Sequence, residues 1–355
     1  MARVTVLMPV YNGGPYLRAA IQSIVDQTYT DWTLRVLDDA STDGSAAIAR
    51  SFTDPRIQVL VNAPNRGLAG NLNQGLDLCQ TEYLARMDQD DLSHPRRLEA
   101  QVAHLDAHPE VALLGTGLRT IGSIRNRTVR LPDRDGYLKS QLFFHCALAH
   151  PTLMFRMAAF RAHGLRYDAA FEKCEDYDLW TRAAPLLGIG SLEDVLFTYR
   201  IHQTNMSRVT GKIQTEKTER IRLRQLAALL PGATDAERSR HLDFCRAGRP
   251  WTPADLDLLE AWQCRLSEAN RARGLFPPQD FDSVLAERWK DACRGATRAG
   301  LASLRRYRRG PFGRPLSRGD VSRWTLLALV HWGHPAYQAV LSPLRWVANR
   351  LRGRN

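Results

Sequence analysis

Three clusters of polar side chains near the amino terminus have the types and spacing to do chemistry. They follow three short apolar runs: Pro9-Val10-Tyr11-Asn12-Gly13-Gly14, then 38–44, which begins with Asp38-Asp39, then Asp88-Gln89-Asp90-Asp91. Two acidic clusters in a half of the chain without a basic excess would repel each other if they met at one site. A cation or a hydrogen-bonding ligand must offset that repulsion, so the pattern predicts a ligand site.

The Asp-x-Asp pair of Asp88 and Asp90 is the first candidate cation site. Alternate residues of an extended strand point to opposite faces, so both acids reach one ion only where the backbone turns. Oxygen ligands suit Mg²⁺ or Mn²⁺, which bind protein carboxylates together with phosphate oxygens. The alternative is a solvated turn, or an N-cap for the helix predicted over 95–105.

Asp38 and Asp39 pose a similar choice. Ser41 and Asp43 fit helix capping, because Ser and Asp are favoured ahead of a helix. Two adjacent acids have no cap geometry to share, so capping explains Asp39 poorly. Its carboxylate can instead accept a hydrogen bond from a nucleobase imide or a hydroxyl group.

Two further candidates lie later in the chain. Glu175-Asp176 opens a helical pattern, where the helix dipole alone favours acids. The functional alternative is a general base that takes a proton from an attacking hydroxyl. His202 follows Arg200 after a short strand pattern, and it is either a packing histidine, a third metal ligand or a phosphate contact.

The elements that must position these side chains alternate along the chain. Short apolar, β-branched runs at 4–8, 32–37, 57–61 and 83–87 alternate with helical patterns at 16–27, 45–52 and 68–79. That order predicts an α/β fold with a doubly wound, mostly parallel sheet. Ligands bind beyond the carboxyl ends of strands in such sheets, and the polar clusters occur there.

Charge divides the chain into two predicted regions. The formal net charge is +12, but residues 1–209 hold 22 basic and 23 acidic side chains, whereas residues 210–355 hold 27 and 14. We therefore predict an α/β domain over 1–209 that carries the site, and a mostly helical, Arg-rich region over 210–355. The basic excess that indicates a polyanionic partner belongs to the second region.

Cysteines and apolar runs indicate the cellular setting. The six cysteines are scattered, without a C-x-x-C pair or zinc-ligand spacing, which favours reduced, buried thiols. The apolar run at 4–10 precedes no signal-cleavage pattern, and no run of about 18 apolar residues occurs. We expect a cytoplasmic protein without a membrane-spanning helix.

Six motifs resemble family 2 glycosyltransferases in order and spacing. They lie within residues 3–208 and are 8–12, Gln27-Thr28-Tyr29, 38–44, Asn65-Arg66-Gly67-Leu68, 88–91 and 175–180. The resemblance implies the GT-A fold, a nucleotide-sugar donor and inversion at the anomeric carbon. It therefore gives each matching residue an expected role.

The implied roles fall into four groups. Asp176 would be the general base. The nucleotide would be held by Pro9, Val10, Tyr11, Asp38, Asp39, Asn65 and Gly67. The ligands of Mn²⁺ or Mg²⁺ would be Asp90, Asp88 and His202. The donor or acceptor pocket would include Asp91, His150, Glu175 and Arg200.

The implied reaction is a single displacement. Asp176 would deprotonate an acceptor hydroxyl while the divalent ion neutralises the leaving nucleoside diphosphate. Processive family members carry a Q/R-x-x-R-W motif and membrane helices, whereas this chain has His202-Gln203-Thr204-Asn205-Met206. We therefore expect transfer of one sugar per encounter, from a UDP-sugar to a hydroxyl of a glycan or lipid-linked acceptor.

The basic extension leaves two roles open. Trp and Leu with flanking arginines at 324–332 and 337–346 suit a helix in a membrane interface, which would make 305–355 a peripheral contact at the inner membrane face. Alternatively, these residues pack on the first domain and the arginines are solvated. The competing class is a nucleic-acid-binding protein on a non-catalytic scaffold. Since no nucleic-acid-binding signature is evident, we expect no nucleic-acid partner.

Overall fold

A computed structural model describes residues 2–124, 126–202, 211–246, 251–296 and 302–316, together with residues 321 and 324. The chain forms two compact units, Met1–Gln225 and Leu226–Asn355. The domain limits expected from charge, 1–209 and 210–355, stay a prediction. Every candidate site residue lies in the first unit.

A mixed β-sheet forms the core of the first unit. Its strand β1, Val4–Val10, is buried along its whole length, as a parallel strand covered on both faces must be. The other strands are β2 Trp32–Asp38, β3 Ile57–Val61, β4 Tyr83–Arg86, β5 Leu92–Ser93, β6 Val111–Ile121, β7 Thr128–Val129, β8 Met154–Arg156 and β9 Gly188–Arg200. Among the described residues they pair in the order β3-β2-β1-β4-β8-β6-β9-β5, with β7 added to β6.

The parallel half of this sheet brings the polar clusters to one edge. β1 pairs in parallel with β2 and β4, and β2 pairs in parallel with β3. In this register Val10 lies opposite Asp38, and Asp38 lies opposite Val61. β4 ends at Arg86 on the same edge, directly before 88–91. The predicted α/β architecture is confirmed.

The second half of the sheet runs in mixed directions. β8 is antiparallel to both β4 and β6, whereas the long strand β9 is parallel to β6. β5 pairs antiparallel with the end of β9, so Leu92 lies opposite Thr198. This pairing returns the chain after β9 to the acidic turn at 88–91.

Helices cover the sheet. α1 buries Leu17, Ala20, Ile21 and Ile24, whose spacing of three and four residues places them on one face. α3 begins at Gly67, where φ is 70°, a left-handed conformation that glycine adopts without strain. The helices of this unit are α1 Gly14–Val25, α2 Ser45–Arg50, α3 Gly67–Leu78, α4 Arg97–Ala107, α5 Asp135–Leu142, α6 Met157–Ala162 and α7 Glu175–Ala183.

A buried acid fixes α7. Asp178 has no solvent exposure, and its carboxylate accepts hydrogen bonds from Arg182 Nε at 2.9 Å and from Arg224 Nη1 at 2.7 Å. Arg182 lies one helical turn further along α7, whereas Arg224 is 46 residues away in sequence. The two guanidinium groups therefore hold the helix that carries Glu175 and Asp176.

Removing this acid should destabilise the first unit. We expect Asp178→Ala to cost about 2–4 kcal/mol, because it leaves two arginines without their shared partner in a partly desolvated place. Calorimetry should record this as a lower melting temperature. The matched control is Asp77→Ala, which breaks an exposed ion pair with Arg166 and should change stability by less than about 1 kcal/mol. Equal effects of the two substitutions would contradict the structural role of Asp178.

The C-terminal helices confirm the predicted helical extension. Two of them begin with a capping box, at Thr234 with Glu237 and at Thr252 with Asp255. Buried apolar side chains such as Trp262 form the core of the second unit. The C-terminal helices are α8 Gly211–Leu229, α9 Asp235–Cys245, α10 Pro253–Arg273, α11 Pro278–Gly295 and α12 Ala302–Arg309. Residues 211–225 of α8 belong to the first unit.

The segments expected to contact a membrane, 324–332 and 337–346, lie outside the described residues except for Trp324. That indole is buried, and its Nε1 donates a hydrogen bond to Ser303 Oγ at 3.1 Å. In the described part of the chain, the helices lack the combination of length and apolarity required to cross a bilayer.

Candidate functional site

A cleft of about 1370 Å³ opens at the edge of the sheet where the parallel strands end. It gathers residues from all the predicted groups: the nucleotide, metal, base and pocket candidates. Those that line it are Pro9, Val10, Tyr11, Asp39, Asn65, Gly67, Asp88, Asp90, His150, Glu175, Asp176 and His202. The remaining candidates, Asp38, Asp91 and Arg200, are not among its lining residues.

The acidic turn after β4 forms one part of the cleft. One carboxylate oxygen from each of Asp88, Asp90 and Asp91 lies within 4.8 Å of the other two. His202 is in contact with this group, since its Nε2 lies 2.7 Å from Asp90 Oδ2. The three acids and the histidine that sequence reasoning selected are therefore assembled at one place.

The chemistry of this acidic group fits a hard divalent cation. Its donors are carboxylate oxygens, and Asp91 Oδ2 is buried without a hydrogen-bond partner among the described residues. Burial and the charges of Asp88 and Asp90 raise the pKa of Asp91 to about 9, and burial followed by the charge of Asp88 raises the pKa of Asp90. A bound cation would favour the ionised acids, and Asp88, Asp90 and His202 are the residues expected to hold it.

Asp91 and Arg200 do not line the cleft, whereas Asp88 and Asp90 do. Asp91 is 1% exposed, and its Oδ1 accepts a hydrogen bond from the Arg200 backbone N–H at 2.8 Å. The Arg200 side chain in turn donates from Nε to the Asp90 carbonyl oxygen at 2.9 Å, and its guanidinium lies 4.8 Å from the centre of the Tyr16 ring. These contacts join the end of β9 to the acidic turn and so position His202.

The loop after β1 is held by side chains from the loop after β2. The backbone N–H groups of Asn12 and Gly14 donate to Ser41 Oγ at 2.9 Å and to Asp43 Oδ2 at 2.9 Å. Ser41 and Asp43 therefore shape the loop. The N-cap of α2 is Gly44 and it makes no side-chain capping hydrogen bond, so this contact between loops, and not the expected helix capping, explains these residue types. Tyr11 is left 53% exposed at the cleft surface.

Asp38 and Asp39 have different environments. Asp38 is fully buried, and its Oδ1 accepts from the Ser41 N–H at 2.7 Å, which closes the turn. Asp39 reaches the cleft, and its Oδ1 accepts from Asn62 Nδ2 at 3.0 Å and from the Arg66 N–H at 2.9 Å. Asn65 Nδ2 donates to the Asp39 carbonyl at 2.8 Å, which ties the start of α3 to this acid. The structure thus fixes Asp39 as an acceptor at the cleft wall.

The first turn of α7 contributes two carboxylates to the cleft. Asp176 is half-buried: its Oδ1 accepts from the Tyr177 N–H at 2.7 Å, and its Oδ2 lies 3.7 Å from Cys146 Sγ. Burial raises the pKa of Asp176. Burial and the charge of Asp176 raise the pKa of Glu175 to about 7. Carboxylates with raised pKa values in a cleft are suited to proton transfer near neutral pH.

His150 is a neutral wall residue. It is buried, and its Nε2 lies 2.8 Å from the Tyr167 hydroxyl. Burial, with a smaller contribution from the Arg86 charge, lowers the pKa of His150 well below its ordinary value. A neutral imidazole can donate a hydrogen bond to the Tyr167 hydroxyl or accept one from it, but it brings no charge to the cleft.

Several lining residues were missed by sequence reasoning. Arg86 ends an apolar strand and had no motif to mark it, and Cys146 was treated as a packing thiol. Gln89 is the middle residue of Asp-x-Asp: its Oε1 accepts from the Tyr11 N–H at 2.8 Å, and its Nε2 donates to the Tyr11 carbonyl at 3.1 Å. A Cβ atom at Gly13 would lie 2.4 Å from Gln89 Oε1, so glycine leaves the room this contact needs. The sequence signal that could have indicated this contact is the amide side chain of Gln89, which can both donate and accept a hydrogen bond.

Comparison with known proteins places these observations in a family. The model described as glycosyl transferase family 2 matches residues 5–165. The putative glycosyltransferase EpsE of Bacillus subtilis is 38% identical over 188 residues, which cover 51% of this chain and 66% of that relative. The O-antigen biosynthesis glycosyltransferase WbnJ of Escherichia coli is 31% identical over 210 residues, which cover 56% of this chain and 80% of that relative.

The fold of this chain is similar to that of solved structures with low sequence identity. The crystal structure of S. aureus TarS 1-349 has a TM-score of 0.55 and 16% sequence identity, and the match covers 92% of this chain and 90% of that one. A second crystal structure of the same TarS segment, in complex with UDP-GlcNAc, has a TM-score of 0.53. The predicted GT-A fold is confirmed.

Proposed function

Because the chain belongs to the glycosyltransferases of family 2, we propose that it transfers one sugar from a nucleotide-sugar donor to a hydroxyl of a glycan or lipid-linked acceptor. We propose a UDP-sugar as the donor and inversion at the anomeric carbon. The observation that carries the proposal is the single cleft in which the acidic turn at 88–91, the Asp39 carboxylate and the Asp176 carboxylate meet.

The nucleotide part of the donor would occupy the cleft beside the loop after β1. Asp39 offers a fixed acceptor for an imide N–H of the base, and Tyr11 offers an exposed aromatic ring next to it. Asn65 and Gly67, where α3 begins, line the same part of the cleft. The UDP and UDP-GlcNAc complexes of TarS, which has the same fold, agree with this choice of nucleotide.

The diphosphate would lie at the acidic turn. The cleft lining holds more acids than bases, with Asp39, Asp43, Asp88, Asp90, Glu172, Glu175 and Asp176 against Arg86, Lys173 and the two histidines, His150 and His202. An anionic donor is repelled by such a lining unless cations are added. When bound by Asp88, Asp90 and His202, Mn²⁺ or Mg²⁺ would neutralise charge on the leaving diphosphate.

Asp176 is the proposed general base. Its carboxylate lies in the same cleft as the residues proposed to bind the nucleotide sugar. Its raised pKa makes it a stronger proton acceptor. In the proposed step the acceptor oxygen forms a bond to the anomeric carbon as the bond to the diphosphate breaks. The hydroxyl proton moves to Asp176. Because the acceptor oxygen displaces the diphosphate directly, the configuration at the anomeric carbon is inverted and no covalent enzyme intermediate forms.

The glycan-assembly setting is supported by the name of WbnJ, which describes O-antigen biosynthesis. The proposed contact of 305–355 with an anionic membrane concerns residues that are mostly outside the described part. Within it, Arg305, Arg308 and Arg309 of α12 are exposed and form a cationic surface. Such a surface suits the headgroups of anionic lipids.

A panel of nucleotide sugars tests the proposed function. We expect one UDP-sugar, in the presence of Mn²⁺, to raise the melting temperature by about 2–4 °C at ten times its Kd, because a ligand bound to the native state stabilises it by mass action. Mass spectrometry of a glycan or lipid-linked acceptor should then detect one added sugar. GDP- and CMP-sugars are the matched controls. Absence of any nucleotide-sugar effect, together with tight binding to duplex or single-stranded nucleic acid, would contradict the proposal.

A further inference from the structure

Arg86 has a distinct place among the charged groups of the cleft. It is the sole arginine among the described residues that line the cleft, yet it is only 1% exposed. Arg86 is the last residue of β4 and precedes Asp88 by two residues. A guanidinium at this depth requires charge partners, because burying an unpaired cation is costly.

The partners of Arg86 lie on the acidic side of the cleft. Nη2 is 2.5 Å from Asp88 Oδ1, and Nη1 donates to the Met87 carbonyl oxygen. Nε is buried without a hydrogen-bond partner among the described residues. Below it, Arg97 Nη2 donates to the Arg86 carbonyl at 2.8 Å, which fixes the backbone at this point. Asp88 therefore has one oxygen held by Arg86.

The charge of Arg86 also reaches the base side of the cleft. It opposes the burial and the Asp176 charge that raise the pKa of Glu175, and it contributes to the lowered pKa of His150. These residues lie on α7 and on the turn before β8, remote in sequence from the acidic turn. Arg86 lines the same cleft as Asp88, His150, Glu175 and Asp176.

We propose that Arg86 is an internal counter-ion of the cleft, a positioning residue that fixes Asp88 and supplies a permanent positive charge within the acidic lining. This inference rests on the proposed function, because it assigns the cation and the diphosphate to this part of the cleft. A fixed guanidinium has opposite effects on the two ligands. It repels Mn²⁺, and it attracts a nucleoside diphosphate.

The opposite signs make the test specific. In Arg86→Gln we expect Mn²⁺ to bind at least about threefold more tightly, because a competing cation is gone. We expect UDP, in EDTA, to bind at least about threefold more weakly, because an attractive charge is gone. Electron paramagnetic resonance of free Mn²⁺ and calorimetric titration of UDP measure the two constants separately. Neither readout depends on sugar transfer.

Two further variants separate charge from structure. Arg86→Lys keeps the charge and should leave both constants within about twofold of the wild type. Arg156→Gln is the matched structural control, because Arg156 donates to the Leu105 and Val111 carbonyls and lies opposite Tyr83, at the other end of β4. It should lower the melting temperature without changing either constant. If Arg86→Gln fails to fold, the lysine variant carries the test: a threefold change in either constant would overturn the proposal.

The remaining outcomes are also decisive. Unchanged constants in Arg86→Gln mean that its charge is not felt in the cleft, and weakening of both ligands means that Arg86 only supports Asp88. Either result overturns the counter-ion proposal. Wild-type protein that binds UDP but no Mn²⁺ contradicts the proposed metal site instead. The UDP measurement then decides the role of Arg86 alone.

Discussion

Asp176→Asn should retain donor binding and lose sugar transfer. We expect a fall in kcat of about 10²–10⁴, the range that removal of a positioned general base produces. An amide has the shape of the carboxylate and keeps an oxygen for the Tyr177 N–H, but it cannot take the proton of the acceptor hydroxyl. Initial rates with the donor found by screening, combined with calorimetric titration of that donor, separate the two effects.

The pH profile gives an independent check on Asp176. Burial raises the pKa of this carboxyl above its ordinary value of about 4, and a general base acts only when it is ionised. Transfer by the wild type should therefore decline as the pH falls through that raised pKa. Residual transfer by the Asn variant should lack this decline.

An exposed acid provides the control for this substitution. Asp194 lies in β9 with its side chain in solvent, so Asp194→Asn should leave the rate and the pH profile unchanged. Near-normal turnover by Asp176→Asn would remove Asp176 from the mechanism. Loss of donor binding along with transfer would assign it to the binding of substrate.

Asp90→Ala should abolish the dependence of donor binding on a divalent cation. Asp90 is one of the three acids grouped at the turn, with Asp88 and Asp91, and its Oδ2 is in contact with His202. Without it, two proposed ligand positions change at once, because His202 also loses its contact with the Asp90 carboxylate. In Mn²⁺, we expect the Kd for UDP to rise at least about tenfold, to the value measured in EDTA.

Titration of UDP in Mn²⁺ and in EDTA, for wild type and variant, measures this effect. Asp194→Ala again serves as the control and should keep the full response to Mn²⁺. An unchanged response in Asp90→Ala would exclude Asp90 as a metal ligand. It would leave the nucleotide part of the cleft, built on Asp39, unaffected.

The sequence was sufficient to predict the architecture where the signals are local. Apolar runs and helical periods give β1 to β4 and the helices between them, and parallel order then requires their carboxyl ends to meet. The meeting of Tyr11, Asp39 and Asp90 in one cleft follows from that geometry. The motif resemblance contributed Asp176, since helical periodicity alone favours an acid at that position for structural reasons.

Contacts between distant segments were not predictable from spacing. Asp178 belongs to the motif that carries Asp176, and only Arg182 is near enough in sequence to suggest its partner. Arg224 comes from a helix whose docking depends on the whole unit. Likewise, β8 enters the sheet between β4 and β6, an order that the chain sequence does not indicate. Arg86 was missed for a different reason: its partners Met87 and Asp88 are adjacent in sequence, but no motif marks the last residue of an apolar strand as a cleft residue.

Gln89 joins the loop after β1 to the acidic turn after β4. Its side-chain amide forms hydrogen bonds with both the N–H and the carbonyl of Tyr11. The neighbours of Gln89 in sequence are Asp88 and Asp90. In the proposed donor complex, a displacement of the loop after β1 would therefore be transmitted to the backbone of the acidic turn. Release of the nucleotide and release of the cation would then be coupled through one amide.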